Sequence, residues 1–191
     1  MRRGKRVLLV AHCVLNQNAV VSPLARAPGA LVPAIKPALE AGIGLLQLPC
    51  SEKACGGLSR ASSMTREEYD TVEYRRLCAR LARRVADDLE PLLADGCRVV
   101  GVLGIDGSPS CSVEEPQGIL REELFKLDQL RPAPRLGIPD GCCGVGEGSR
   151  PRSGPDAIPT GYPEFWRRLT SMLAAGVEVD QAQGANDTTP R

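Results

Sequence analysis

Three cysteines stand just beyond the ends of three apolar segments of the chain, at Cys13, Cys50 and Cys111. Thiolate sulfur is a soft ligand that prefers zinc, copper(I) or iron–sulfur clusters to hard cations. A structural zinc site normally closes with four protein ligands and often contains paired cysteines two residues apart, which are absent here. Three thiolates on a cubane cluster would leave one iron open as a Lewis acid for a soft atom such as sulfur.

Polar side chains accompany these cysteines at spacings that suit catalysis. Glu52 comes two residues after Cys50 and is a candidate for moving protons at whatever the cluster binds. Ser108 precedes Cys111 and can donate a hydrogen bond to the cluster or to a substrate. For His12, the single histidine, we expect a structural role at the end of a strand.

Each of these residues also has a simpler interpretation. The three cysteines are compatible with buried thiols, since free cysteine packs as a small apolar side chain. Glu52 is compatible with a solvated or helix-capping carboxylate, and Ser108 with a residue that shapes a turn. Three other cysteines are candidates for an additional ligand: Cys55, Cys142 and Cys143.

The elements that must position these residues can be predicted from the hydrophobic pattern. Short apolar runs bounded by turn residues predict buried strands at Val7–Ala11, Ile43–Leu48 and Val99–Ile105, with Arg135–Ile138 as a candidate fourth. Helices are predicted over Leu31–Ala41, from a capping box at Thr65 to a stop at Asp95–Gly96, over Ile119–Leu130, and over Pro163–Ala175. Gly141–Gly148 and Arg150–Pro159 are predicted loops.

The alternation of strands and helices predicts a single open three-layer α/β domain with a mainly parallel, Rossmann-like sheet. The carboxyl ends of parallel strands line one edge of such a sheet, and ligands bind at that edge. The three cysteines are therefore predicted to be neighbours. We expect this cluster-binding domain to cover residues 1–175 and residues 176–191 to form a flexible tail with little to bury.

Composition excludes several classes of partner. The chain has 191 residues, 24 basic and 23 acidic side chains and a net charge of +1, so it lacks the electrostatic signature of nucleic-acid or membrane binding. No apolar segment approaches the roughly 20 residues that span a bilayer. A domain of this size needs no disulfides to fold, so we expect a cytoplasmic protein with reduced thiols and a small-molecule substrate. The sequence carries no signal of oligomeric state.

Four segments around the candidate residues resemble the 2-thiouracil desulfidase family and its less-characterised relatives. They are His12-Cys13-Val14-Leu15-Asn16, Leu48-Pro49-Cys50-Ser51-Glu52, Gly56-Gly57-Leu58-Ser59-Arg60 and Ser108-Pro109-Ser110-Cys111. Two positions depart from the usual family pattern, since Ser51 stands in place of a proline and Ser112 in place of a glycine. Asp106-Gly107 before Ser108 indicates the branch of relatives whose substrates are not settled.

The resemblance implies a [4Fe-4S] cluster held by Cys13, Cys50 and Cys111, with the open iron accepting the sulfur of the substrate without net redox change. It implies that Glu52 is the acid/base group for addition of water at the thiocarbonyl carbon, and that Ser108 assists. The expected activity is hydrolysis of a C–S bond in a small thiouracil-like heterocycle. The alternative is a non-catalytic, cysteine-rich zinc-binding module or a sulfur carrier.

Overall fold

A computed structural model of the chain describes residues 3–139, 142 and 162–184, with the backbone alone for 176–184. In chain order the elements are β1 (Arg6–Val10), α1 (His12–Leu15), α2 (Val32–Glu40), β2 (Gly44–Gln47), α3 (Ser51–Gly56), α4 (Arg66–Tyr69), α5 (Val72–Ala94), β3 (Arg98–Ile105), α6 (Ile119–Leu124), β4 (Arg135–Ile138) and α7 (Pro163–Gly184). Two short 3₁₀ turns, Gln17–Ala19 and Ser22–Leu24, follow α1. No described helix is both long and apolar enough to cross a membrane.

The sheet has four parallel strands in the order β2-β1-β3-β4. Both of its faces are buried, because alternate residues of β1 enter different apolar clusters. Leu8 and Val10 pack with α2 and α7, whereas Val7 and Leu9 pack with α5 and α6. The three-layer α/β fold predicted from the sequence is confirmed.

The strand order reverses at β1, and this reversal creates the place for a site. The chain leaves β1 through α2 to reach β2 on one side, and then returns through α5 on the opposite face to reach β3 on the other side. In an open α/β sheet, the crevice outside the carboxyl ends of the two strands at such a switch point is where ligands bind. Cys13 follows β1 and Cys111 follows β3, so both lie at this crevice.

The long helix predicted after Thr65 is two helices in the structure, so this prediction was wrong in its continuity. Thr65 does form the predicted capping box with Glu68 at the start of α4. The helix then breaks at Asp70, whose ψ of 65° is not helical. Thr71 starts α5 with a second cap, since its hydroxyl accepts a hydrogen bond from the backbone N–H of Tyr74 at 3.1 Å.

Two other helix ends differ from the prediction. α6 ends at Leu124 rather than at Leu130, and Leu130 reaches the core from a following turn. α7 continues to Gly184 rather than ending near Ala175, because an isolated glycine such as Gly176 costs a helix only about 1 kcal/mol. The mobility of the tail stays a prediction. The two predicted loops between β4 and α7 lie outside the described residues, apart from Cys142.

Candidate functional site

A cavity of about 710 Å³ opens at the carboxyl edge of the sheet. Its lining includes all five residues that the sequence singled out as ligands or catalytic groups: Cys13, Cys50, Glu52, Ser108 and Cys111. They come from the segments that follow three different strands, as the predicted topology required. The two 3₁₀ turns and the residues between them form an apolar wall of the cavity, made of Val20, Val21 and Leu24.

Cys13 is held by a short helix that starts immediately after β1. The buried side chain of Gln17 fixes this segment, because its Nε2 donates to the Cys13 carbonyl at 2.6 Å. The Oε1 of the same amide accepts from the backbone N–H of Arg26 at 2.7 Å. Gln17 therefore joins the Cys13 helix to the wall of the cavity.

Cys50 is the N-cap residue of α3, and its Sγ accepts a hydrogen bond from the backbone N–H of Lys53 at 3.4 Å. Glu52 lies in the first turn of this helix. The cap therefore fixes the thiol and the carboxylate relative to each other, which explains why two residues of separation in the sequence place both in one cavity.

Cys111 lies in a loop that Ser108 holds together. Gly107 turns the chain after β3 with a φ of 72°, a conformation that favours glycine. The hydroxyl oxygen of Ser108 accepts from the backbone N–H groups of Ser110 at 3.3 Å and Cys111 at 3.2 Å. It also lies 3.2 Å from the Sγ of Cys111, so the serine orders the loop and contacts the thiol.

Glu52 is held between Ser108 and Arg60. The Ser108 hydroxyl donates to Glu52 Oε1 at 3.2 Å, and Arg60 Nε lies 3.5 Å from Glu52 Oε2. Arg60 is itself fixed, since its two Nη atoms donate to the carbonyls of Gly57 at 2.7 Å and Ala19 at 3.0 Å. Both carboxylate oxygens therefore have a defined partner.

The three thiols interact with one another. A hydrogen bond from the Cys13 thiol to the sulfur of Cys111 lowers the pKa of Cys111 to about 7, and the Arg121 guanidinium acts in the same direction. The same hydrogen bond, with burial, raises the pKa of Cys13 well above its ordinary value. Burial raises the pKa of Cys50. Because metal ligation requires thiolates, loading this site would release protons.

The three cysteine sulfurs suit a metal cluster better than a single metal ion. Among residues 3–139, 142 and 162–184, no three His, Cys, Asp or Glu side chains are grouped so as to hold a single metal ion. A cubane cluster makes a different demand, because each thiolate binds a different iron atom. Three soft sulfur donors along the wall of one cavity fit that demand in type and placement.

The additional cysteines are not part of the cavity lining in the described part of the chain. Cys55 is exposed on α3. Cys142 is fully buried in the apolar cluster beneath α2 and α7. Cys143 lies outside the described residues.

Comparison with curated proteins gives one relative. "Uncharacterized protein MJ0003" of Methanocaldococcus jannaschii is 40% identical over 124 residues, which are 65% of this chain and 78% of that protein. The chain belongs to the MJ0003 family. No protein-family model and no solved structure matches it. The name of the archaeal protein states no activity. The geometry of the site is therefore the basis for its chemistry.

Three charged residues of the site were not predicted: Lys53, Arg60 and Arg121. Lys53 Nζ lies 2.9 Å from Nε2 of His12, which lines the cavity, and burial together with Lys53 lowers the pKa of that histidine. Arg60 ends the glycine-containing segment of the resemblance, and this position was the available signal for it. Arg121 stands before two glutamates in a pattern typical of an exposed helix, so no local signal indicates its burial.

Proposed function

We propose that this protein is an iron–sulfur-dependent, non-redox desulfidase that removes sulfur from a small thiolated compound such as a thiouracil-like heterocycle. The observation that carries the proposal is the shared cavity at the switch point. Three thiols, the Glu52 carboxylate and the Ser108 hydroxyl, which come from three separate strand ends, are part of its lining. Soft ligands beside a fixed proton-transfer group suit the hydrolysis of a C–S bond.

The proposed reaction exchanges sulfur for oxygen. Water adds at the thiocarbonyl carbon, the C–S bond breaks, and sulfur leaves with its electron pair as sulfide, so no oxidant or reductant is needed. A [4Fe-4S] cluster on Cys13, Cys50 and Cys111 would supply an open iron, a Lewis acid with affinity for sulfur. The three cysteines would hold that group at the carboxyl edge of the sheet.

Glu52 is the proposed acid/base group. Its carboxylate takes up a proton from the attacking water and returns it to the departing group. Ser108 and Arg60 hold its two oxygens at 3.2 and 3.5 Å, so the carboxylate is oriented before the substrate arrives. Such orientation removes part of the entropic cost of the reaction.

The size and lining of the cavity favour a small substrate. Its volume of about 710 Å³ lies within the range of roughly 300–1,000 Å³ of small-molecule sites. The apolar wall offers a face for a flat ring, while Glu52, Ser108 and Arg60 form a connected polar group in the same lining. Six described cysteines are free thiols, which supports the further proposal of a reducing, cytoplasmic location: Cys13, Cys50, Cys55, Cys78, Cys97 and Cys111.

The first test is the metal content of protein purified without oxygen. We expect iron and acid-labile sulfide in equal amounts, about four of each per chain. Cys13→Ala, Cys50→Ala and Cys111→Ala should each lose them, whereas Cys55→Ala is the matched control and should keep them. Stoichiometric zinc without sulfide, or no metal at all, would contradict the desulfidase proposal. The zinc result would favour a structural metal module instead.

The second part of the test separates an enzyme from a sulfur carrier. Glu52→Gln should keep the cluster but reduce sulfide release from a responsive thiocarbonyl compound by roughly 10²–10⁴-fold. Glu67→Gln, an exposed carboxylate on α4, is the control and should keep full activity. Sulfide release unchanged by Glu52→Gln, or absent from a broad panel of thiolated heterocycles with loaded wild-type protein, would contradict the proposal.

A further inference from the structure

Arg121 is the largest fully buried side chain of the described residues, with 0% of its surface exposed. It lies in the first turn of α6 among Ile119, Leu120 and Leu124, all of which are buried apolar residues. A buried guanidinium in such surroundings costs several kcal/mol unless an opposite charge compensates it. The position of this side chain therefore requires an explanation.

The hydrogen bonds of Arg121 do not neutralise its charge. Nε donates to the carbonyl of Cys111 at 3.1 Å, and Nη2 donates to the carbonyl of Leu103 at 3.2 Å. Nη1 is buried without a hydrogen-bond partner. Within the described part of the chain, no carboxylate forms an ion pair with Arg121. Carbonyl groups are neutral dipoles, so the net charge remains uncompensated by them.

The negative charges that act on Arg121 come from the candidate cluster ligands. Burial lowers the pKa of Arg121, while Cys111 and Cys13 act in the opposite direction. Its hydrogen bond to the carbonyl of Cys111 places the guanidinium next to the loop that carries one of these sulfurs. Three thiolates outweigh the positive charge of an oxidised cubane core, so a loaded site would be anionic and would match this buried cation.

We propose that Arg121 is a positioning residue that acts as the fixed counter-charge of the cluster held by Cys13, Cys50 and Cys111. This inference rests on the proposed function. A permanent cation beside the Cys111 loop would favour an additional electron on an anionic cluster, so Arg121 would raise the reduction potential of the cluster. It also offsets the electrostatic cost of gathering three thiolates in a buried place.

A purely mechanical role would have a different signature. By binding two carbonyls, Arg121 also ties the Cys111 loop to β3, and that contact depends on the guanidinium fork rather than on charge. Arg121→Lys keeps the charge and loses the fork. Arg121→Gln and Arg121→Met remove the charge. The reduction potential separates the two roles. If Arg121 only linked the Cys111 loop to β3, the lysine variant and the neutral variants would have the same potential.

The experiment is a potentiometric titration of the anaerobically loaded, full-length protein with dithionite, followed by electron paramagnetic resonance. We expect Arg121→Gln and Arg121→Met to shift the equilibrium for one-electron reduction at least tenfold toward the oxidised cluster, which is about 59 mV. Arg121→Lys should stay within threefold of the wild type. Arg75→Gln removes a charge on α5, away from the cavity, and should cause no shift.

Each outcome has one meaning. If wild-type protein loads and the neutral variants keep its potential, the counter-charge inference is wrong while the proposed function stands. If wild-type protein holds no iron and sulfide, the proposed function fails and the inference falls with it. If the neutral variants do not fold, the reduction potential of Arg121→Lys tests the inference. A potential close to the wild type supports the inference, and a tenfold shift overturns it.

Discussion

Arg60 joins the acid/base candidate to the backbone of two separate segments. Its guanidinium contacts Glu52 and donates to carbonyls in the 3₁₀ turn after α1 and at the end of α3. The side chain is only 6% exposed, so water does not readily replace these contacts. We therefore expect Arg60, which also lines the cavity, to act as a positioning residue for Glu52.

Arg60→Lys tests this assignment, because lysine keeps the charge but cannot bind three oxygens in the fixed geometry of a guanidinium. We expect kcat for sulfide release to fall by roughly 10–100-fold with little change in KM, since a displaced acid/base group impairs the chemical step more than binding. Iron and sulfide content should remain at the wild-type level.

The matched control is Arg75→Lys, which alters an ion-paired arginine on α5 that does not line the cavity. It should leave kcat and KM unchanged. An Arg60→Lys protein with wild-type kcat would show that the ion pair does not orient Glu52.

The sequence predicted which side chains line the cavity better than it predicted the residues that hold them there. Cys13, Cys50 and Cys111 each follow a strand, so topology alone brings them together. Arg60 and Arg121 depend on burial by segments far away in the chain, which no local pattern records. The placement of these two arginines is a tertiary property, and it became visible only with the structure.

At the scale of elements, the Cys111 loop is fixed by the close approach of the start of α6. Gly118 is the N-cap of α6 and has a φ of −68°, which any residue adopts without strain. A Cβ at this position would overlap the backbone of Ser110 and lie 2.5 Å from the backbone nitrogen of Cys111. The glycine is therefore required for space and not for conformation.

Gly118→Ala should consequently displace the Cys111 ligand. Overpacking against backbone cannot be relieved by a rotamer change, so we expect a loss of about 3 kcal/mol in the free energy of unfolding. Iron content after anaerobic loading should also fall, because the loop carries one of the three proposed ligands. Denaturant unfolding and an iron assay measure the two effects.

Gly29→Ala is the control for this substitution, since a Cβ there meets no atom within 4 Å. It should be close to neutral in both assays. Wild-type stability and iron content in Gly118→Ala would mean that the start of α6 does not set the position of the Cys111 loop.

Element boundaries show where local pattern stops being informative. The apolar spacing from Tyr74 to Leu89 predicted α5 correctly, because one face of that helix is buried along its whole length. The break before it was missed because Thr65 and Thr71 are two competing caps within one periodic stretch. The cap that starts the longer helix depends on packing against α6, which the sequence does not display.

At the scale of the whole molecule, one sheet separates two apolar layers. Leu89 of α5 and Leu169 of α7 lie in different layers and are 1% and 0% exposed. Both layers use alternate residues of the same strands, so neither can keep its packing if the sheet opens. We therefore expect the layers to unfold together in one transition, as small domains usually do.

The single tryptophan, Trp166, lies on α7 and makes this expectation measurable. Its ring forms an edge-to-face pair with Phe165, with the two ring centroids 4.8 Å apart. Its fluorescence reports the α2–α7 layer, while circular dichroism reports the helices of both layers. Leu89→Ala removes a side chain from the opposite layer and should lower the free energy of unfolding by about 2–5 kcal/mol.

Both signals of the metal-free Leu89→Ala protein should shift to the same lower midpoint in denaturant, although the substitution lies across the sheet from the tryptophan. Leu169→Ala should do the same from the near side. Thr170→Ala, an exposed position beside it, should change stability by no more than about 0.5 kcal/mol. A wild-type fluorescence midpoint in Leu89→Ala, with circular dichroism shifted, would show that the two layers unfold independently.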